Sequence, residues 1–439
     1  MIFLILNIIF FLSLWISKYI FKKWINPLSI YTVIWFAMLS FYHLKLINYD
    51  DLSSETWFVI VAAHISLFLG SITYFTAFDA LKSKQKKNES SNNLPIIFYN
   101  DGKILFWLAL IFGLIGLFSA FHTWFVLLKI YNSVFEILGH LGKVYQMRVE
   151  GEIKGVIPYL SIFIYASIFF AGLYSAYKKK IKIISFLPLI AIIIKNTALA
   201  GRASILLGFL EYVFTFIFCL FFITTIHKIS KWEKRQLFFQ GLIVILLFTL
   251  TIVGIKNLRG SVESFEGETR AMQKLQESPF ISPSIYLYLS GHVGVLNKFL
   301  EKSNENVRLG ENTLQFVYNF ASNFELTERP NGYQKAYYIP VWINTGTYLR
   351  ELIVDFSFPA TLIILYFFGL YISFSWVQFY NGSNLNYLVV LTFLTLILAV
   401  SFLMIVTRLA DWILSLGFIL LVIKVTEIMI RNRVVRELH

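Results

Sequence analysis

Long apolar runs recur along most of the chain, separated by short polar segments. A helix needs roughly 20 apolar residues to cross the hydrocarbon of a bilayer, and about eleven runs approach that length. Helix is favoured over membrane strand because these runs are unbroken, whereas membrane strands alternate apolar and polar residues. The predicted spans are Ile2 to Ile20, Leu28 to Leu46, Trp57 to Phe78, Ile104 to Leu128, Val156 to Tyr177, Ile181 to Leu199, Ser204 to Ile226, Leu237 to Ile255, Leu352 to Phe374, Tyr387 to Ile405 and Leu409 to Ile430.

The pattern predicts an all-α polytopic membrane protein in three parts. Residues 1–255 hold transmembrane helices joined by short loops, and residues 256–351 form one large extracytoplasmic loop with short helices. Residues 352–439 hold the last transmembrane helices and a cytoplasmic C-terminus. The N-terminal run has no basic n-region and no small-residue cleavage site, so we interpret it as a retained first span.

The basic clusters predict the orientation, because Lys and Arg beside a span usually stay cytoplasmic. All of them fall on one side if the N-terminus is outside and the C-terminus is inside; they begin at Phe21, Leu81, Lys178, His227 and Arg431. The composition agrees, with 57% hydrophobic and 14% charged residues. The net charge of +13 does not predict nucleic-acid binding, since the cations flank apolar runs and no nucleic-acid motif accompanies them.

Several arginines lie on the predicted outer side, against the topology rule; they are Arg148, Arg202, Arg259, Arg270, Arg350 and Arg408. Four of these, Arg202, Arg259, Arg350 and Arg408, lie near outer helix ends, so we expect them to ring one cavity. The planar guanidinium fork matches phosphate oxygens, which predicts a seat for a phosphate or pyrophosphate headgroup. The alternative is that each arginine reaches lipid phosphates, and that Arg408 pairs with Asp411.

Other charged residues suggest supporting roles. We interpret Lys195 and Glu211 as a structural clamp, because a lone carboxylate deep in an apolar helix would be costly. His292 and Asp355 are the candidate general bases, although a lone histidine is more often structural. No metal site is predicted, since the adjacent Asp50 and Asp51 are interpreted as loop polarity. No cofactor is predicted, and the loop and zinc motifs of ATP-driven transport and zinc hydrolysis are absent from the sequence.

Three segments carry a resemblance to a known family. The chain contains "LAGRAS" between two spans, "RGS" after the next span, and "NTGTYLRELIVDFSFPATLIILYFFGLYI" after the large loop. Together with the arrangement of spans, they resemble the Wzy-type oligosaccharide repeat unit polymerases of O-antigen and capsule assembly. The family pattern usually continues "DFG" at the end of the loop, whereas this chain has "DFSFPA", with Ser357 in place of that glycine.

The resemblance implies a glycosyltransferase C-like fold in the bacterial cytoplasmic membrane, with the active site at the extracytoplasmic face. It implies transfer of a growing glycan from undecaprenyl pyrophosphate to the non-reducing end of a lipid-linked repeat unit. Arg148, Arg202, Arg259 and Arg408 would hold the pyrophosphate without a metal. The implied partners are the lipid-linked oligosaccharide, membrane lipid, a chain-length regulator and a flippase.

Three alternatives stay open on the sequence. An O-antigen ligase shares this architecture and chemistry but uses a different acceptor. A lipid-linked oligosaccharide transporter also needs basic residues in a membrane cavity, but transporters commonly show two similar halves or broken helices. A non-catalytic scaffold for envelope assembly predicts that neutralising the outer arginines leaves glycan length unchanged.

Overall fold

The computed structural model describes residues 2–82, 94–98, 100–226, 228, 230–259, 283–302, 306–330 and 334–437. Within these ranges the chain is almost entirely helical, and a single short hairpin supplies the β structure. The helices are α1 (Ile2–Phe21), α2 (Pro27–His43), α3 (Ser54–Lys82), α4 (Lys103–Leu128), α5 (Val134–Gly139), α6 (Leu141–Glu150), α7 (Ser161–Tyr177), α8 (Phe186–Ala198), α9 (Ala203–Ile226), α10 (Lys231–Arg259), α11 (Pro283–Lys302), α12 (Gln315–Ser322), α13 (Tyr348–Gly382), α14 (Leu385–Ala399) and α15 (Ala410–Glu437); the strands are β1 (Tyr337–Tyr338) and β2 (Trp342–Ile343).

Every predicted span lies on one of these helices, although several ends differ. Helix α7 begins at Ser161 and not at Val156, because the chain turns at Tyr159, whose φ is 62°. Helix α14 ends at Ala399, short of the predicted end at Ile405, and a 3-10 turn from Val406 to Arg408 follows. The all-α class is therefore confirmed.

Among the residues that the structure describes, five helical segments are long and apolar enough to cross a membrane. They are Ser54–Phe78, Asn100–Leu128, Ala203–Ile226, Tyr348–Gly382 and Ala410–Asn432. Helices α7, α8, α14 and the Ile5–Phe21 part of α1 are apolar but shorter. A membrane location follows from these helices, whereas the number of about eleven crossings stays a prediction.

Part of the predicted large loop lies outside the described residues. This applies to the helix expected within Glu263 to Phe280 and to Arg270. Arg259 is the last residue of α10, and its side chain also lies outside the description.

The chain divides into two compact units. Unit 1 comprises Met1–Asn88, Val262–Phe374 and Ile397–Leu409, and unit 2 comprises Glu89–Ser261, Ser375–Leu396 and Ala410–His439. Residues far apart in the sequence therefore pack together, and the predicted loop belongs largely to the same unit as the N-terminal helices. The linear three-part division stays a prediction about membrane position.

Unit 1 depends on a close crossing of α3 and α13. A Cβ atom added to Gly70 would lie 1.9 Å from the Tyr366 carbonyl oxygen, and one added to Gly369 would lie 2.0 Å from the Leu67 carbonyl oxygen. Only glycine permits this approach, which is the usual basis of tight helix packing in membranes. The Ser71 hydroxyl also donates to the Gly369 carbonyl at 2.9 Å. The crossing positions the first turns of α13, which carry the charged residues described below.

Unit 2 is built on α7, which packs against α4, α8, α9 and α15. The Ser167 hydroxyl of α7 donates to the Ala109 carbonyl of α4 at 2.6 Å, which adds a polar contact to this apolar packing. Short helices α5 and α6 lie against the ends of α4 and α8, and their core includes Leu127, Ile137, Leu141, Val144, Ala198 and Ala200. This small core positions the turn between α8 and α9.

Candidate functional site

The turn between α8 and α9 is a helix C-terminal motif followed directly by a new helix. The Gly201 amide donates to the Asn196 carbonyl at 2.8 Å, and the Ala200 amide donates to that of Thr197 at 3.2 Å. Ala200 has a φ of 52°, as the left-handed residue of such a motif requires. The Arg202 carbonyl accepts from the Leu206 amide at 3.1 Å, so Arg202 directly precedes α9 at its N-cap position.

Arg148 of α6 comes to the same turn. A Cβ atom added to Gly201 would lie 2.8 Å from Nη1 of Arg148 and 2.9 Å from Oδ1 of Asn196. The Arg148 guanidinium also lies over the Tyr145 ring, 5.0 Å from its centroid. Gly201 is thus the residue that lets the guanidinium approach the backbone.

We call Arg148, Gly201, Arg202 and the first turn of α9 the hairpin arginine site. The first turn of a helix exposes backbone N–H groups and carries partial positive charge, which favours anions. A guanidinium at such an end has the chemistry of phosphate binding. The structure therefore brings the Arg148 guanidinium to the turn that carries Arg202, and both residues were predicted pyrophosphate ligands.

The predicted clamp between Lys195 and Glu211 is not formed as an ion pair. Lys195 is buried, and its Nζ donates to the hydroxyls of Ser119 at 2.9 Å and Ser161 at 2.5 Å. Glu211 is completely buried, and neither carboxylate oxygen has a hydrogen-bond partner among the described residues. The Trp412 indole N–H lies near enough to interact electrostatically with Glu211, but outside hydrogen-bond geometry. The serines satisfy Lys195 because they lie on the facing helices α4 and α7.

Unit 1 holds a second charged cluster, around Glu351 and Arg408. Nη1 of Arg408 lies 3.1 Å from Oε1 of Glu351, whose side chain is 2% exposed. Nε of Arg408 donates to Gln315 at 2.9 Å. Glu351 also accepts hydrogen bonds from the Gln334 amide and the Ile405 backbone N–H. We call this set the Glu351–Arg408 cluster. Arg408 thus forms an ion pair with Glu351, and not with Asp411 as the alternative from the sequence predicted.

Asp355, a predicted base, is fully buried and holds a loop. Oδ1 accepts from the Asn312 backbone N–H at 3.0 Å and from its side-chain amide at 2.8 Å. Oδ2 accepts from the Thr313 backbone N–H at 2.7 Å and from its hydroxyl at 2.6 Å. Both oxygens of the carboxyl group are therefore hydrogen-bonded. The geometry gives Asp355 a positioning role for the segment before α12.

His292, the other predicted base, is 3% exposed in α11. Its Nδ1 lies 3.1 Å from the Thr345 carbonyl, and Nε2 has no hydrogen-bond partner among the described residues. Burial lowers the pKa of His292 to about 4, against the weaker opposing effect of backbone hydrogen bonds. A neutral, buried imidazole holds the loop before α13 and lies away from solvent.

Arg350 was expected in the ring of arginines, but its side chain contacts the β-hairpin formed by β1 and β2. It is 2% exposed, and Nη2 donates to the Lys335 carbonyl at 2.8 Å. Its guanidinium lies 5.0 Å from the Tyr337 ring centroid and 5.7 Å from that of Phe299. These contacts hold the β-hairpin against α11. Since Arg350 and Arg408 belong to unit 1 and Arg202 and Arg259 to unit 2, the single ring stays a prediction.

Helix α13 is interrupted at Ser357, two residues before Pro359. Ser357 has φ 70° and ψ 163°, a backbone conformation adopted almost exclusively by glycine. The Thr361 hydroxyl donates to the Ser357 carbonyl at 2.8 Å, which replaces part of the lost helical bonding. The departure from "DFG" noted in the sequence is therefore a serine in a conformation that suits glycine.

Sequence reasoning missed Glu351, Gln315 and Gln334. Glu351 was visible beside Arg350 in "TYLREL", as a carboxylate at the start of an apolar helix. Gln315 and Gln334 carry no sequence signal, because they reach the cluster only through the loops that bring them there. Comparison with known proteins adds no assignment: no protein-family model, no curated protein and no solved structure matches the chain.

Proposed function

We propose that the chain is a bacterial polysaccharide polymerase that transfers a growing glycan from undecaprenyl pyrophosphate to the non-reducing end of a lipid-linked repeat unit. The hairpin arginine site carries the proposal, because it places the Arg148 guanidinium beside Gly201, next to Arg202 and a helix N-terminus, which is chemistry that suits an anion. The glycine-type backbone of Ser357 supports the resemblance at a position where the sequence departs from the family pattern.

In this proposal the protein crosses the cytoplasmic membrane about eleven times, with the N-terminus outside and the C-terminus inside. The turn between α8 and α9 then lies at the extracytoplasmic face, at the level of lipid headgroups. That position suits a substrate whose pyrophosphate is anchored by a polyprenyl chain. The segment between α10 and α13 lies on the same side and contacts the glycan.

The proposed reaction is a direct displacement. An acceptor hydroxyl forms a bond to C1 of the donor sugar while the bond between C1 and the pyrophosphate oxygen breaks, through an oxocarbenium-like transition state. The electron pair of the breaking bond moves to the pyrophosphate, and Arg148 and Arg202 stabilise its growing charge. The hydroxyl proton leaves with the pyrophosphate, since the buried Asp355 and His292 are engaged in holding loops.

The test is polymerisation of an authentic lipid-linked repeat unit by purified protein, read as a glycan ladder on a gel. Arg202→Ala and Arg148→Ala are expected to reduce the rate by about a hundredfold, the usual effect of removing one donor from a developing oxyanion. Lysine at either position should restore part of the rate, because it keeps the charge but loses the planar fork.

Gly201→Ala gives a sharper variant, because the added methyl group would meet Nη1 of Arg148 and the Asn196 side chain. It should lower the rate while the thermal unfolding midpoint stays close to that of the wild type. Gly142→Ala in α6 is the matched control, since a Cβ atom there meets nothing within 4 Å.

Two results would contradict the proposal. Full polymerisation by both arginine variants would indicate that Arg148 and Arg202 only contact membrane lipid. Transfer of a preformed glycan to another acceptor, with no ladder on the authentic repeat unit, would indicate the ligase alternative.

A further inference from the structure

An open groove lies on the surface of unit 1. It consists of two adjoining hollows of about 210 Å³ and about 370 Å³, which share Asp50, Lys298 and Tyr338. The larger hollow falls within the range of about 300–1,000 Å³ that is usual for small-molecule sites. Its walls come from the loop after α2, the C-terminal half of α11 and the β-hairpin.

Two exposed aromatic rings form one wall of the groove. Tyr338 and Trp342 are opposite each other across the hairpin, and their ring centroids are 5.8 Å apart. Trp342 is 68% exposed and Tyr338 is 46% exposed. The hairpin beneath them is held by Arg350, which donates to the Lys335 carbonyl. The rings therefore form an ordered apolar face open to solvent, which suits a flat, amphipathic ligand.

Charged side chains line the rest of the groove. Nζ of Lys298 lies 2.7 Å from the Asp50 carboxylate and 3.1 Å from that of Glu301. The hydrogen bond to Asp50 raises the pKa of Lys298, so its ammonium stays charged. The described ion pairs contain no acidic partner for Lys302 or Lys335, so these two lysines supply uncompensated positive charge within the described groove.

The geometry points to a saccharide-binding groove that accepts a pyranose bearing a carboxylate. Trp342 would stack on the apolar face of the ring, and Tyr338, whose ring plane is inclined at 62° to that of Trp342, would contact its edge. The Asp50 carboxylate and Lys298 ammonium would bind hydroxyls. Lys302 and Lys335 would attract the carboxylate. An apolar partner is disfavoured, because each hollow is bordered by charged side chains that it would leave desolvated.

This inference deepens the proposed function, on which it rests for the origin of the glycan. In a polymerase, such a groove can hold a sugar of the repeat unit. Binding in the groove is measurable without turnover. The two proposals can therefore fail separately.

The experiment uses the purified full-length protein in lipid nanodiscs and saturation-transfer NMR. The probes are a β-linked disaccharide ending in glucuronate and its neutral glucose counterpart. The wild type should bind both, with the acidic disaccharide bound about fivefold to tenfold more tightly, a difference of about 1–1.4 kcal/mol.

Three variants locate the binding. Trp342→Ala should weaken both disaccharides about tenfold, since it removes the stacking surface. The double variant Lys302→Gln and Lys335→Gln should equalise the two disaccharides while the neutral one still binds. Trp232→Ala is the matched control, because Trp232 is 70% exposed beside Lys231 in α10 of unit 2 and its loss should leave both affinities unchanged.

The inference is overturned if neither disaccharide binds saturably to the wild type, or if Trp342→Ala and Trp232→Ala have equal effects. It is also overturned if the double lysine variant leaves the preference for the acidic disaccharide intact. Saccharide binding without any glycan ladder would support the binding groove and contradict the polymerase function. A glycan ladder without saccharide binding would support the polymerase function and contradict the binding groove.

Discussion

Glu351 in unit 1 and Glu211 in unit 2 are both buried carboxylates on apolar helices, but their surroundings differ. Glu351 accepts from Arg408, Gln334 and the Ile405 backbone. Glu211 has no hydrogen-bond partner for either oxygen among the described residues. Glu351 lies in the first turn of α13, where loops bring donors, whereas Glu211 lies within α9, where neighbouring helices use their backbone groups internally. Depth along a helix therefore decides whether a buried charge finds partners.

The largest effect on stability is expected from removing the carboxylate of Glu351, which has hydrogen-bond partners for both oxygens. Glu351→Ala leaves Arg408 without its ion-pair partner and should lower the free energy of unfolding by about 3–5 kcal/mol. Glu351→Gln should recover part of this loss, since its amide oxygen still accepts. The thermal unfolding midpoint in detergent measures both. Asp51→Ala is the control, because Asp51 pairs with Lys45 at an exposed position, and a fall as large as that of Glu351→Ala there would contradict the comparison.

A pH titration examines His292, a buried polar residue of unit 1 whose Nε2 lacks a described partner. Burial lowers the pKa of His292 from 6.5 to about 4, so the unfolded chain binds more protons between these values. Stability contributed by the neutral imidazole is present above pH 6.5 and is lost as the pH falls towards 4, by about 3 kcal/mol in total.

The measurement is the difference in unfolding free energy between wild type and His292→Asn across this pH range. That difference should change steadily with pH, since asparagine does not titrate there. Parallel curves for the two proteins would show that His292 is not buried as a neutral group.

Replacing Glu211 should change the free energy of unfolding in the opposite direction from replacing Glu351. Glu211→Leu removes a buried polar group without partners and should raise the free energy of unfolding by about 1–3 kcal/mol. The unfolding midpoint gives the answer. A fall would mean that Glu211 has a strong energetic partner, as the clamp interpretation required, and the contrast with Glu351 would disappear.

The smallest effect on stability is expected at Ser357, in the helix that carries Glu351. Ser357→Gly relieves a conformation with φ 70° and ψ 163° and should stabilise the protein by about 1–2 kcal/mol. Ser373→Gly in the same helix has the reverse expectation, a loss of about 1 kcal/mol, because a regular helical position disfavours glycine. Equal signs for the two variants would exclude backbone strain at Ser357.

The sequence determined the helices and the polar residues that needed partners. Uninterrupted apolar runs are a local signal, and every predicted span coincides with a helix. The ends were less certain, since the turns before α7 and after α14 depend on the backbone at single residues such as Tyr159. Arg148 and Arg202 were also recognisable, because cations on the predicted outer side contradict the topology rule.

Only the tertiary structure decided which side chains meet. Lys195 could have paired with Glu211, but two serines on facing helices satisfy it. Asp355 looked like a base, yet four donors from a loop more than forty residues earlier hold it. Partner choice depends on contacts between distant segments, and the sequence pattern records only that a charge lies in an apolar helix. Burial makes such a charge need a partner, and packing selects which one it finds.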